Sequence, residues 1–363
     1  MLMREEKNGD RDKEKDMFAT LLFPLLILMF VGAAMVVWLA GVQLSNSTDV
    51  IEARFHLGEE LGGLIFLAIA TNLPEIAMVV SASLRQTLGI AIGNILGGVA
   101  IQTVVLVLLD GIGLRGRAAL TYEAAALPLV LEGVLVMSVL VVSILGTQLP
   151  TSLLFAHVAP GDLLIVVLWL MGLWLINKAR KDLPWQEKGR APGMARPAHG
   201  RHQDKRERWS TTHALIVFAT SAMVTLLAGV VLEECSNVLA AHLGWSGLLF
   251  GSTVLAAVTA LPEMATGLAA VSINDFSLAF SDIFGGNAFL PVLFLPATLL
   301  SGQSVLPQAK NTDIYLASLG VLLTAVYIYG LIFRCKRQFL NLGIDSLVVL
   351  LLYIVGLFTI VGR

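Results

Sequence analysis

The chain has 363 residues, of which 56% are hydrophobic and 14% charged, against about 25% charged in an ordinary soluble domain. A net charge of −2 gives no electrostatic footprint for nucleic acid, and no nucleic-acid partner is expected. The two cysteines, Cys235 and Cys335, fall in different connecting regions on opposite sides of the topology read below, which excludes a disulfide framework and a thiolate metal site.

In chain order, residues 1–17 form a tail of mixed charge that includes Arg4, Glu5, Glu6 and Lys7. The apolar run that follows, 18–41, is long enough to span a bilayer and lacks the pattern of a cleaved secretory signal. Nine further apolar segments follow at roughly 61–84, 87–110, 121–146, 160–178, 211–232, 246–271, 275–300, 312–334 and 343–361. None alternates in the manner of a barrel strand. The expectation is an all-α membrane protein with ten transmembrane helices. Five lie in a first unit, 18–178, and five in a second, 211–363, joined by a basic loop at 179–210. From Lys178 to Trp209 that loop region carries ten Lys/Arg and four Asp/Glu with three prolines, the composition of a solvated connector.

Lys and Arg collect on the cytoplasmic side of short loops. With the long loop cytoplasmic, Arg54, Arg115, Arg117, Arg334, Lys336 and Arg337 share its side, while Arg85, Lys310, Arg363 and the N-terminal tail lie opposite. Ten spans then leave both termini non-cytoplasmic in a multi-pass protein of the plasma or inner membrane.

The chain repeats itself at an offset of 188 residues. Thr71-Asn72-Leu73-Pro74-Glu75 matches Thr259-Ala260-Leu261-Pro262-Glu263, and Gly93-Asn94-Ile95-Leu96-Gly97-Gly98 matches Ser281-Asp282-Ile283-Phe284-Gly285-Gly286. Asn94 and Asp282 each fall 19 residues after their glutamate. From Gly63 to Val104, 15 of 42 positions are identical without a gap. The matching segments are the second and third spans in one half and the seventh and eighth in the other. Five spans separate equivalents, an odd number, so the two copies run in opposite directions. Inverted repeats of this kind hold their sites near the bilayer midplane.

Glu75 and Glu263 lie well inside apolar spans, where a charge costs about 2.5–3.5 kcal/mol on insertion scales. A lone buried Glu serves as readily for interhelical hydrogen bonding; a duplicated pair points to function. Pro74 cannot donate to the carbonyl of Ala70, nor Pro262 to that of Val258, so each leaves an oxygen one turn before a glutamate. Thr71 and Thr259 lie four residues before their glutamates, on the same helix face. Carboxylate, hydroxyl and carbonyl are the ligands of hard cations. The candidate metal-binding carboxylates are Glu75, Glu263 and Asp282. Asn94 and Gln102 share a helix face with Gly98, and Asp282 shares the equivalent face with Gly286. Gly93 and Gly97, like Ser281 and Gly285, have the spacing of close helix packing, their commonest use.

The remaining intramembrane charges read as lesser features. Glu132 interrupts the fourth span and reads as structural. Glu59, Glu60, Glu233 and Glu234 sit near span ends and line a mouth at most. Asp110, Asp162 and Asp345 read as boundary residues. No nucleophile–base pair or His-based metal motif falls within the spans, so no enzyme activity is expected.

These motifs resemble those of the calcium/cation antiporters, which include the sodium/calcium exchangers. That family carries Gly-Thr-Ser-x-Pro-Glu and Gly-Asn-x-x-Gly-Ser-Asn motifs in each of two inverted five-helix repeats. The resemblance implies that Glu75 and Glu263 are the central cation ligands, that Thr71 and Thr259 add oxygens, and that Asn94, Asp282, Asn72 and Gln102 complete the ion-binding set. This chain departs from the motifs where serines become Asn72, Ala260, Gly98 and Gly286, and where Leu290 stands in place of the second Gln102. The implied function is secondary-active exchange of Ca²⁺, or a similar hard cation, for Na⁺ by alternating access. Proton coupling and a non-transporting protein with a vestigial site are the alternatives. The expected partners are inorganic cations and the lipid bilayer, with no cofactor beyond the transported ions.

Overall fold

The computed structural model describes residues 23–55, 69–113, 118–152, 154, 158–181, 209–245 and 247–361. The N-terminal tail, Glu59, Glu60, Arg115, Arg117, Arg363, the start of the second predicted span and nearly all of the basic loop lie outside them.

The described chain is almost wholly helical. The first half contains α1 (Phe23–Phe55), α2 (Leu73–Arg85), α3 (Leu88–Leu108) with a π-turn at Leu109–Gly113, α4 (Leu120–Ala124), α5 (Leu127–Gly146) and α6 (Pro160–Lys181). The second half contains α7 (Thr211–His242), α8 (Gly247–Phe250), a π-turn at Gly251–Leu255, α9 (Ala256–Thr259), α10 (Leu261–Ser272) and α11 (Phe276–Phe289). After a 3₁₀ turn at Leu290–Leu293 come α12 (Phe294–Ser301), α13 (Asn311–Phe333), the hairpin β1 (Gln338–Phe339) and β2 (Leu342–Gly343), and α14 (Ile344–Val361).

Seven of the described helices are long and apolar enough to cross a membrane, or eight if the bent pair Gly251–Thr259 and Leu261–Ser272 counts as one span. Ile344–Ile360 is a shorter apolar helix. Several predicted spans turn out to be broken. The segment at 121–146 divides at Ala125 and Ala126, ahead of Pro128. The one at 275–300 tightens to 3₁₀ around Pro291. Two helices outrun their apolar windows. α1 continues to Phe55 and α7 to His242, which places Cys235, Glu233 and Glu234 inside a helix rather than in a connection. The polar residues in these extensions satisfy themselves locally or across the interface. Ser47, for example, donates to the carbonyl of Gln43 at 2.8 Å.

The packing is reciprocal between halves. α1 and α7 lie along each other; α7 also covers α2, and α1 covers α10. α5 packs on α11 and α6, while α13 packs on α3 and α14. α3 and α11 therefore sit in the interior, where they are buried on nearly every face. Helices apolar all round belong in such a core. The outer helices turn large apolar side chains outward, among them Leu28, Met35, Trp174, Leu227 and Phe358, as a lipid-facing surface requires.

Two polar residues tie the span ends together. Asp110 accepts from the backbone N–H of Leu120 at 2.8 Å and of Gly343 at 2.6 Å. Thr298, its equivalent at the 188-residue offset, accepts from Val305 at 3.4 Å. Asp110 and Asp162 are buried, not solvated at a boundary. Sequence alone cannot separate a carboxylate facing water from one that caps a buried connection.

Candidate functional site

Both Pro-Glu motifs break a helix in the same way. Asn72 (φ −85°, ψ 14°) and Ala260 (φ −76°, ψ 2°) adopt nearly the same non-helical turn, after which α2 and α10 begin with Pro74 and Pro262 in their first positions. The second of these breaks bends the chain by 45°. Proline is well placed in a first helical turn, since it lacks the N–H that has no partner there. The consequence is electrostatic. Glu75 and Glu263 each lie in the first turn of a half-helix, at the positive end of its dipole, where a carboxylate is favoured.

Glu75, Glu263, Thr71, Thr259, Asn94, Asp282, Asn72 and Gln102 are all buried, none more than 2% exposed. The two halves exchange partners. Thr259, from the second half, stands near Glu75 of the first; Thr71, from the first half, stands near Glu263 and Asp282 of the second. Thr259 also donates toward Asn94 Oδ1 at 3.5 Å, and Gln102 Nε2 donates to Glu75 Oε1 at 3.5 Å. Glu263 lies within electrostatic reach of both Glu75 and Asp282.

The site holds more acceptors than donors. Glu75 Oε2, both carboxyl oxygens of Glu263, Asp282 Oδ1 and Gln102 Oε1 are buried without a hydrogen-bond partner. A group of orphaned buried oxygens is unfavourable unless a proton or a cation satisfies it. Among the described residues, no three His, Cys, Asp or Glu side chains stand close enough together to grip a metal ion unaided. A cation here would draw on amide and hydroxyl oxygens as well as carboxylates.

The glycines explain the departures from the family motif. A Cβ on Gly286 would lie 2.9 Å from Asn72 Nδ2 and 3.5 Å from Gln102 Oε1. A Cβ on Gly98 would lie 3.2 Å from Leu290 Cδ1. Gln102 and Leu290 are equivalent across the repeat, so each fills the space beside the other half's missing serine. Gly97 packs directly on Ser252, the close-packing use expected of the Gly93–Gly97 pair. Gly41 of α1 abuts Pro262, and Gly229 of α7, its equivalent, abuts Pro74 and Ala77.

Sequence reasoning missed Thr266 and undervalued Glu233. Thr266 hydrogen-bonds Asp282 Oδ2 and the carbonyl of its own Glu263. Its place one turn after Glu263 was the available signal, hidden because the first copy has Met78 there. Glu233 is fully buried and accepts from Ser81 at 3.1 Å, Thr87 at 2.9 Å and Asn237 at 2.6 Å. Beside it, Arg85 and Glu234 form an ion pair. Glu132 is buried in α5.

The family model described as sodium/calcium exchanger protein matches residues 25–176 and again 213–362. The chain belongs to the sodium/calcium exchanger protein family. It is 27% identical over 294 residues to the inner membrane protein YrbG of Escherichia coli (strain K12), covering 79% of this chain and 83% of that one. Its fold matches the H⁺/Ca²⁺ exchanger CAX with a TM-score of 0.65 at 12% identity, over 92% of this chain and 82% of that one. It matches the sodium-calcium exchanger NCX_Mj with a TM-score of 0.60 at 17% identity, over 93% and 99%. The protein is thus a multi-pass membrane protein of a cation-exchanger family, a family of transporters rather than enzymes.

Proposed function

We propose that this exchanger-family protein is a secondary-active antiporter that moves Ca²⁺, or a similar hard cation, in exchange for Na⁺ by alternating access. The observation that carries this reading is the cross-half exchange at the site. Thr71 stands near the carboxyls of the second half and Thr259 near that of the first, with Thr259 donating toward Asn94 across the halves, around buried oxygens that lack donors. The proposed ligands are Glu75, Glu263 and Asp282, with Thr71, Thr259, Asn94, Asn72 and Gln102 beside them. One divalent ion or two monovalent ions neutralise the same pair of carboxylates. Loading by either lowers the cost of carrying the site through a low-dielectric interior.

The finer architecture belongs to the same proposal: ten spans in two inverted five-helix repeats, 18–178 and 211–363, separated by the basic loop 179–210 on the cytoplasmic side. Support comes from the reciprocal packing of α1 on α10 and α7 on α2 and from the family match to each half separately. The named Escherichia coli relative supports placement in an inner or plasma membrane, and the basic loops support non-cytoplasmic termini.

One observation favours proton coupling as a second reading. The second half has a buried Leu290 where the first has Gln102, and glycine stands at both serine positions. Fewer neutral oxygens remain for Na⁺, whereas protons need only the carboxylates. Radiolabelled Ca²⁺ uptake into reconstituted vesicles separates the cases. Sodium-driven uptake without a pH gradient supports Na⁺ exchange, and uptake driven by pH alone supports H⁺ exchange. Flux unchanged in both Glu75→Gln and Glu263→Gln would overturn the site.

A further inference from the structure

The turn between α13 and α14 has a composition that exchange does not use. α13 ends at Phe333, and the next residue, Arg334, takes a left-handed conformation (φ 51°) and donates its N–H to the carbonyl of Gly330 at 2.9 Å. Residues 333–341 read Phe-Arg-Cys-Lys-Arg-Gln-Phe-Leu-Asn, with three cations and no carboxylate. Arg334 Cζ lies 5.2 Å from the centre of the Tyr122 ring, and Lys336 Nζ lies 5.1 Å from the same centre. Two like charges are thus gathered at one aromatic ring. Among the described residues, no ion pair involves Arg334, Lys336 or Arg337. Arg334 Nε and Nη2 are buried and have no hydrogen-bond partner. The carboxylates of Asp110 and Asp345 lie at Gly343, at the base of the hairpin, while Lys336 and Arg337 are exposed.

The same turn displays apolar surface. Phe333 is 77% exposed and stacks on Tyr329, while Phe339 and Leu340 at the hairpin are 61% and 77% exposed. Gln338 pairs with Gly343 and Phe339 with Leu342, which leaves a two-residue turn of Leu340 and Asn341, both at positive φ (55° and 64°). Such turns favour Asn and Gly. A leucine is strained at positive φ, so its presence at the tip gains nothing from the turn itself. A tip of Phe and Leu ringed by Lys and Arg matches the boundary between acyl chains and headgroups.

We infer that the turn 333–341 is a binding surface for anionic phospholipid, with Lys336 and Arg337 on the headgroup phosphate, Arg334 behind them over the buried Tyr122 ring, and Phe339 and Leu340 among the acyl chains. Basic side chains beside spans recognise acidic headgroups in this way. The occupant is a lipid rather than a soluble phosphate because the apolar tip adjoins the charges.

The test uses the full chain purified in detergent and soaked in equal phosphatidylglycerol and phosphatidylcholine, with retained lipid measured after washing. Wild type is expected to hold phosphatidylglycerol in preference. Each of K336Q and R337Q is expected to weaken retention about fivefold. Equal retention of the two lipids, or unchanged retention in the double variant, would overturn the proposal. So would displacement of the lipid by millimolar inorganic phosphate, which would make the site one for free anion. The Lys336 and Arg337 side chains are both exposed, so these variants leave the helix end at Arg334 undisturbed. L340N keeps the charges and suits the turn. It is expected to retain the lipid preference while losing part of the stability gained on transfer from detergent to vesicles.

Discussion

The amide of Asn72 occupies the space that a side chain at Gly286 would need, with Nδ2 2.9 Å from where a Cβ would stand. The two residues belong to different halves and compensate each other in volume. Gly286→Ser is therefore expected to overpack the site, costing about 1–3 kcal/mol. Adding Asn72→Ser makes room, so the double variant should recover about 1 kcal/mol or more relative to additivity. A double-mutant cycle on detergent melting curves measures this; strict additivity would remove the compensation.

Thr266→Val keeps the side chain's shape and deletes the hydroxyl that bonds Asp282. An orphaned buried acceptor costs about 1–3 kcal/mol. The loss is expected without Ca²⁺ and should shrink when Ca²⁺ is present, because a bound cation satisfies the same oxygen. Thermal denaturation at zero and saturating Ca²⁺ decides the point. An equal loss in both conditions would detach Thr266 from the ion site.

Gly41 and Gly229 mark where the long helices cross the Pro-Glu turns. A Cβ on Gly41 would lie 2.7 Å from Cβ of Pro262, and one on Gly229 would lie 2.9 Å from Cβ of Ala77. Gly41→Val and Gly229→Val should each lower stability by about 1–3 kcal/mol and depress Ca²⁺ flux. Gly32 on the same helix α1 faces open space, so Gly32→Val is the matched control and should leave flux near wild type. Equal flux in all three variants would show that these crossings tolerate bulk.

Glu233→Ala removes the acceptor of three buried or half-buried donors, Ser81, Thr87 and Asn237. The expected loss is about 3 kcal/mol, read as a lower melting temperature. Ser138→Ala, which deletes an exposed hydroxyl bonded only within its own helix, should change little. A Glu233→Ala protein as stable as wild type would return Glu233 to the role of a solvated mouth residue.

The elements that could be read from sequence were those with a long apolar period or a repeat. α1, α3, α5, α7 and α13 follow hydrophobic runs, and the Pro-Glu turns follow from the 188-residue offset. The ends were harder to read. α7 runs past Leu232 into Glu233 and Glu234 because those carboxylates find partners on α2 and at Thr87 just after it, and an apolar window cannot register a partner about 150 residues away. Thr266 escaped because comparison of the copies finds shared residues, whereas the position equivalent to Thr266 holds Met78. The Asn72–Gly286 exchange was visible as two separate departures from a motif, but only their contact makes it one change.

The Glu233 cluster is not repeated residue for residue in the other half. Where it uses Ser81, Arg85, Thr87, Glu233, Glu234 and Asn237, the equivalent positions hold Ala269, Ile273, Asp275, Ser45, Asn46 and Asp49. A duplicated transporter built from identical copies would have two opposed resting forms of equal energy, interchanged by its own symmetry. In the alternating-access reading proposed above, this one-sided latch lifts that degeneracy. Each 1.4 kcal/mol of difference displaces the unloaded population about tenfold toward one form. An otherwise even-handed exchanger would thereby acquire a preferred side on which to wait for its ion.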